Sequence, residues 1–285
     1  MKKIANNILI VGVGLIGGSL GKAIKKNRLA DHVWGVSRKQ AHLSLAKKLG
    51  VIDAGSTRLE EWVPKADLIV LAAPVSQILP LAQKVAKLKS PQAVVTDVSS
   101  VKGALVATCD KLFQGMFVGG HPMAGSDQSG VAFANPQLFK GAVCLLTPTQ
   151  KTEKKAEQKV AALWRAVGAR VTQMSPEEHD TVTAHISHLP HLISAALVQS
   201  LNRGKNRAEQ FLPFAGGGFR DMSRIAGSDP QLWAEILLSN RTEIKKVLGQ
   251  TLTLLQQWKN FLETKNEKKI LSALKEAQMI RRKLH

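Results

Sequence analysis

The sequence predicts an α/β protein: a doubly wound parallel sheet followed by an all-helical C-terminal domain. Three observations predict it. A β-branched apolar run, ILIV at residues 8–11, leads directly into GVGLIG at 12–17. From residue 8 to about 173, short apolar runs alternate with helical patterns, as in successive βαβ units. From residue 175 onward no strand pattern follows.

The first stretch organises the rest. Its apolar run reads as a buried parallel strand. The glycines Gly12, Gly14 and Gly17 have the G-x-G-x-x-G spacing of a dinucleotide fingerprint, in the required order of strand, turn and helix. Gly12 permits the turn, Gly14 lets backbone approach a pyrophosphate, and Gly17 lets the helix pack close to the strand. The helix that opens at Leu15 and Ile16 offers free N–H groups and a partial positive charge to phosphates. The expected sheet is therefore Rossmann-type.

Further strands are expected at 33–36, 68–72, 93–97, 117–119, 143–147 and 170–173. Helices are expected between them at 40–49, 78–87 and 153–167, the last with lysines on one face and apolar residues on the other. At Ser175-Pro176-Glu177-Glu178 the pattern changes. Ser175 suits an N-cap, Pro176 the first helical position, and the glutamates the first turn. Helices are expected at 177–201, 207–215, 230–262 and 265–283. The division is thus a dinucleotide-binding domain over 1–174 and a helical substrate and dimerisation domain over 175–285.

Composition narrows the function. No apolar run approaches the roughly 20 residues of a membrane span, and the polar first seven residues do not resemble a secretory signal. Two isolated cysteines, Cys109 and Cys144, suit a reducing cytoplasm. The net charge of +19 raises nucleic acid as a partner. Its lysines, however, are spread along helix surfaces, aromatic residues are only 5%, and no nucleic-acid motif occurs. Such a field also steers an anionic cofactor and substrate. The expectation is a small-molecule partner, with neither nucleic acid nor membrane.

Cofactor choice follows from the end of the second strand. An NAD site places an acid there to hold the ribose 2′-OH. This chain has Ser37-Arg38-Lys39 instead. A hydroxyl and two cations suit a 2′-phosphate, so NADP is preferred over NAD. The loop at Ala73 and Pro74 closes the 68–72 strand and is expected to pass the cofactor.

Three clusters carry the chemistry: TDVSSVK at 96–102, GGHPMAGS at 119–126, and SHLPH at 187–191 with GGGFRDMSR at 216–224. His121, beside the carboxyl edge of the sheet, can accept a proton from an alcohol while hydride leaves the same carbon. Ser100 can orient that imidazole or share its bond with substrate; it could also cap the following helix. His185, His188 and His191 recur every third residue. The first and last, six apart, do not share a helical face well, and no carboxylate completes the set, so no metal is expected. Pro190 in mid-helix costs roughly 3 kcal/mol unless the helix bends there, and such a bend suggests a site wall. Arg224, one turn after Asp221, is the candidate clamp for a substrate carboxylate.

Taken together and in this order, GxGxxG at 12–17, DVSSVK at 97–102, GGHPMAG at 119–125, SHLPH at 187–191 and GFRDMSRIA at 218–226 resemble the prephenate/arogenate dehydrogenase family. The resemblance spans residues 8 to about 240. It implies oxidative decarboxylation of prephenate to 4-hydroxyphenylpyruvate, or of arogenate to tyrosine, with hydride transfer to NADP or NAD. It implies that His121, assisted by Ser100, accepts the proton of the ring 4-hydroxyl. His188 and His191 would line the pocket, His188 counted with the catalytic set, with Ser126 nearby. Arg224 would bind a carboxylate, and the protein would be a homodimer through its helical domain. A donor at His191 suits the keto acid prephenate better than the ammonium of arogenate, whereas NADP use goes more often with arogenate. The other readings are a different small-acid or imine dehydrogenase, expected to carry a catalytic lysine in the helical half, and a non-catalytic NADP-sensing module.

Overall fold

The computed structural model describes residues 2–125, 128–202 and 207–284. Its sheet has eight strands in the order β3-β2-β1-β4-β5-β6-β7-β8. Chain order gives β1 (Ala5–Val11), α1 (Leu15–Lys26), β2 (Ala30–Val36), α2 (Gln40–Lys48), β3 (Ala54–Ser56) and β4 (Leu68–Leu71). Next come α3 (Val75–Leu88), β5 (Val94–Asp97), α4 (Gly103–Phe113), β6 (Phe117–Pro122), β7 (Val143–Thr147), α5 (Lys154–Ala166) and β8 (Arg170–Gln173). The strand order reverses beside β1, the topological switch at which such sheets bind ligands.

Why these residues form a sheet is plain from burial. Ile8, Leu9 and Ile10 are wholly buried, with alternate side chains entering opposite apolar layers. Both faces are covered, so β4 and the part of β1 at residues 8–11 read as continuous apolar runs rather than alternating ones. Two features depart from the sequence reading. The sheet is not parallel throughout, because β7 runs antiparallel to β6, pairing Leu145 with His121. And β3, only Ala-Gly-Ser, carries no apolar signal of its own.

The remaining elements are helical. They are α6 (Pro176–Thr183), a π-helical turn (Ala184–His188), α7 (Leu189–Ser200), α8 (Arg207–Phe211), α9 (Gly217–Ser223) and α10 (Pro230–Ser239), then α11 (Arg241–Glu263) and α12 (Glu267–Arg281). The expected continuous helix over 177–201 is thus interrupted. Pro190 sits in the first turn of α7, and the wider π turn precedes it. A π turn absorbs the carbonyl that proline cannot serve. The expected helix over 230–262 breaks at Asn240, whose side chain is drawn into other hydrogen bonds.

By contacts the chain forms two compact units, residues 1–240 and 241–285. The first holds the sheet and helices α1–α10. The second is the packed pair α11 and α12, which exposes Leu252, Leu255, Leu262, Leu271, Leu274 and Ile280. No helix among the described residues is long and apolar enough to cross a membrane.

Candidate active site

At the carboxyl edge of the sheet lies a cleft of about 450 Å³ within the first unit. Gly14, Leu15 and Ile16 line it from the glycine turn, Ala73 and Pro74 from the β4–α3 loop, Ser100 from the β5–α4 loop, and His121 from β6. Ser228 and Trp233 close it from the helical side.

The glycine turn fits a dinucleotide on three counts. Gly12 has φ +106°, and a Cβ there would lie 2.2 Å from the Ala72 carbonyl oxygen. A Cβ on Gly17 would lie 2.0 Å from the Gly12 carbonyl oxygen, so helix and strand touch through it. Gly14, by contrast, faces open space, with nothing within 4 Å. The N-terminus of α1 has no side-chain cap and no acid in its first turn. Its N–H groups and dipole are left for an anion. After β2, Ser37 is half-buried and Arg38 and Lys39 are exposed; α2 likewise has no acid in its first turn.

His121 lies inside β6, which runs on to Pro122, rather than in a loop after a strand ending at 119. It is 7% exposed and faces the cleft. Burial pushes its pKa well below the usual histidine value, helped by the Lys102 charge and by His179 and His188. The ring is therefore neutral at physiological pH. Its Nδ1 lies 2.9 Å from Nε2 of His179, whose own Nδ1 lies 2.8 Å from Oδ1 of Asp180. Asp180 also accepts the backbone N–H groups of Lys102 and Gly103, each at 2.8 Å, and so caps α4.

These contacts exclude only the alternative reading of Ser100, as the cap of the following helix. The cap position of α4 is Lys102, and the cap itself comes from Asp180 across the molecule. The ring is held by His179. Ser100 remains a cleft residue. Beneath it, Lys102 and Asp97 form a wholly buried ion pair at 2.8 Å. Lys102 Nζ also donates to the Ser99 carbonyl at 2.6 Å, and Asp97 accepts from the Ser99 hydroxyl and from the Gly120 N–H at 3.1 Å. The pair ties the β5–α4 loop to β6 beside His121.

The helical histidines do not line the cleft directly. His191 stacks on Trp233, and Trp233 is the side chain that reaches the cavity. His191 Nδ1 donates to the Ser187 carbonyl at 3.2 Å, so in the neutral ring Nε2 is an acceptor, 3.4 Å from the Ser228 hydroxyl. Burial lowers its pKa, and Arg224 lowers it further. The expectation that His191 acts as a donor therefore does not hold for the neutral ring. His188 is wholly buried, its pKa lowered to about 4 by burial. Asn240 donates to its Nδ1 at 3.1 Å and to the Asp180 carbonyl at 2.8 Å, which leaves the His188 proton on Nε2. That nitrogen is buried with no hydrogen-bond partner among the described residues. His188 is thus part of the frame behind the cleft rather than of its lining. His185 is exposed and bonded to the Thr181 carbonyl.

Arg224 is exposed, and among the described residues it forms no ion pair with Asp221. The helix α9 ends at Ser223, and a 3-10 turn begins at Arg224, so the two residues are not one regular turn apart. Ser126 lies outside the described residues. The reading of the sequence missed His179, Asp180 and Trp233. Their only signal was a His-Asp pair in the second turn of a helix and a tryptophan at helical spacing.

A free helix N-terminus at a glycine turn, with a neutral imidazole across the same cleft, defines a dinucleotide-dependent dehydrogenase. Residues 20–173 match the prephenate dehydrogenase nucleotide-binding domain, and residues 175–276 match the prephenate dehydrogenase dimerization domain. The chain belongs to the prephenate dehydrogenase family. Prephenate dehydrogenase of Bacillus subtilis (strain 168) is 37% identical over 281 residues, covering 98% of this chain and 76% of the relative. The crystal structure of prephenate dehydrogenase from A. aeolicus with hydroxyphenyl propionate and NAD+ matches with TM-score 0.93 at 37% identity, covering 98% of each chain. Synechocystis arogenate dehydrogenase matches with TM-score 0.86 at 32% identity, covering 98% of this chain and all of that one. The protein is an NAD(P)-dependent oxidoreductase that acts with decarboxylation in tyrosine biosynthesis.

Proposed function

We propose that the protein converts prephenate to 4-hydroxyphenylpyruvate, with NADP as the preferred acceptor and His121 as the base. The observation that carries this is the neutral imidazole of His121 in the same cleft as the uncapped α1 N-terminus. Prephenate is favoured over arogenate because the two relatives at 37% identity are named prephenate dehydrogenases, against the arogenate dehydrogenase at 32%; the His191 donor argument no longer contributes.

Gly12, Gly14, Leu15, Ile16 and Gly17 would hold the pyrophosphate. Ser37 and Arg38 would hold the 2′-phosphate, and Ala73 and Pro74 would pass the cofactor by backbone. When bound, the nicotinamide supplies the hydride acceptor. His121 takes the proton of the 4-hydroxyl at Nε2 as the C4–H bond gives up its hydride. The bond to the ring carboxylate breaks and CO₂ leaves; its electron pair passes through the ring to the 4-oxygen, which takes the proton back from His121 to give the phenol. Aromatisation makes the reaction strongly downhill, so the protein has mainly to align and to move one proton. Ser100 would share the hydroxyl's hydrogen bond. Arg224, whose charge acts on His191, would bind a substrate carboxylate, with His191 and His188 packed against Trp233 of the cleft; Ser126, outside the described residues, is kept as a substrate-binding residue on the family resemblance alone.

Residues 1–174 would serve the dinucleotide and 175–285 the substrate and a homodimer. The exposed leucines of α11 and α12 suit such an interface, and the two buried free thiols suit the cytoplasm. Initial rates for prephenate and arogenate, each with NADP and NAD, test the proposal; faster turnover with NAD would overturn the cofactor preference. His121→Asn is expected to lower kcat by about 10²–10⁴-fold with the cofactor KM unchanged. Wild-type turnover in that variant would remove His121 as the base.

A further inference from the structure

We infer that His179 and Asp180 are positioning residues that place the imidazole proton of His121 on Nδ1 and so keep its Nε2 lone pair toward the cleft. The inference rests on the reading of His121 as the base.

The chain of hydrogen bonds starts from the one group with no choice. Asp180 receives N–H groups from Lys102, Gly103 and His179. Burial pushes its pKa up, but these bonds outweigh burial and hold it below the usual carboxylate value. An ionised carboxylate can only accept. His179 Nδ1, 2.8 Å away, must therefore donate. His179 is wholly buried, and burial keeps its ring neutral despite Asp180. A neutral ring with its proton on Nδ1 has a lone pair on Nε2. That nitrogen is 2.9 Å from His121 Nδ1, and two lone pairs cannot share a hydrogen bond. His121 Nδ1 must donate, which leaves Nε2 without a proton. With the opposite tautomer, Nε2 would carry a hydrogen and could not accept one from a hydroxyl.

The sequence holds these two residues rigidly. Ser175 caps α6 by accepting the Glu178 N–H at 3.0 Å, and Pro176 fixes its first turn. Thr183 donates to the His179 carbonyl at 2.8 Å, and Asn240 donates to that of Asp180. Lys102 lies near the rings, but its ammonium is committed to Asp97 and Ser99, and among the described residues His121 is the partner at the His179 Nε2.

The test uses the full chain labelled with ¹⁵N-histidine and free of ligand. Long-range ¹H–¹⁵N spectra are expected to show His121 protonated at Nδ1 and bare at Nε2. In Asp180→Asn the side-chain amide can donate to His179, and both tautomers are expected to reverse. Its kcat should then fall by about 10²–10⁴-fold, as when a tautomer-setting aspartate is amidated in a protease triad, with the dinucleotide KM within about twofold. Because Asp180→Asn also weakens the α4 cap, His179→Gln and His179→Leu form a second pair that leaves the cap in place. The glutamine oxygen can still accept from His121, so kcat should stay within about tenfold of wild type. The leucine cannot accept, and kcat should fall as in Asp180→Asn. Equal kcat in the two His179 variants, or a proton on His121 Nε2 in the wild-type protein, would overturn the inference. The spectra are read without turnover, so they stand apart from the His121→Asn kinetics that test the base itself.

Discussion

At the scale of single residues, the site is a set of neutral histidines. His121, His179, His188 and His191 all have pKa values lowered first by burial. A histidine whose pKa is lower folded than unfolded binds its proton more readily unfolded. Such groups leave stability intact above the unfolded value of about 6.5 and reduce it as pH falls toward the folded value. For His188, with a folded pKa of about 4, the loss at pH 5 is about 2 kcal/mol. Thermal melts should therefore show Tm dropping between pH 7 and pH 5, before most carboxylates titrate. A flat Tm over that range would contradict the assignment. His121 was legible in the sequence because glycines and a proline at a strand end make an imidazole conspicuous. His179 was not. A histidine just after the Ser-Pro-Glu-Glu start of a helix looks like part of any solvated helix, and only the fold brings it to 2.9 Å from His121.

At the scale of elements, the β5–α4 connection depends on a charge pair with no access to water. Lys102 and Asp97 are both 0% exposed. Taking one away leaves the other charged and buried, a loss of about 3–5 kcal/mol. Lys102→Met should show that loss in urea denaturation. A change below about 1 kcal/mol would mean that Asp97 is satisfied by Ser99 and Gly120 alone. Strands β1 and β4 were readable because burial on both faces needs unbroken apolar runs. The antiparallel direction of β7 was not, since a run such as Val-Cys-Leu-Leu-Thr has the same hydrophobicity in either direction. Nor was the break at Asn240, because the helical pattern continues across it and only the bonds to Asp180 and His188 reveal why the chain turns.

At the scale of the whole molecule, the net charge of +19 is expected to steer an anionic cofactor and, on the proposed function, a dianionic substrate. Between about 0.01 M and about 0.15 M salt the screening length falls from about 30 Å to about 8 Å. The value of kcat/KM for prephenate should fall severalfold over that range while kcat holds. An unchanged kcat/KM would mean that the charge only solvates the surface. The carboxylate of Asp180 has a consequence of another kind. It is made after the first 174 residues, yet it completes the start of a helix that precedes it by nearly eighty residues and gives the imidazole its proton address. A chain still leaving the ribosome can have the glycine turn and the imidazole in place and yet be chemically silent. Turnover cannot begin before translation has passed this aspartate and, further on, the Ser228 and Trp233 that close the cleft.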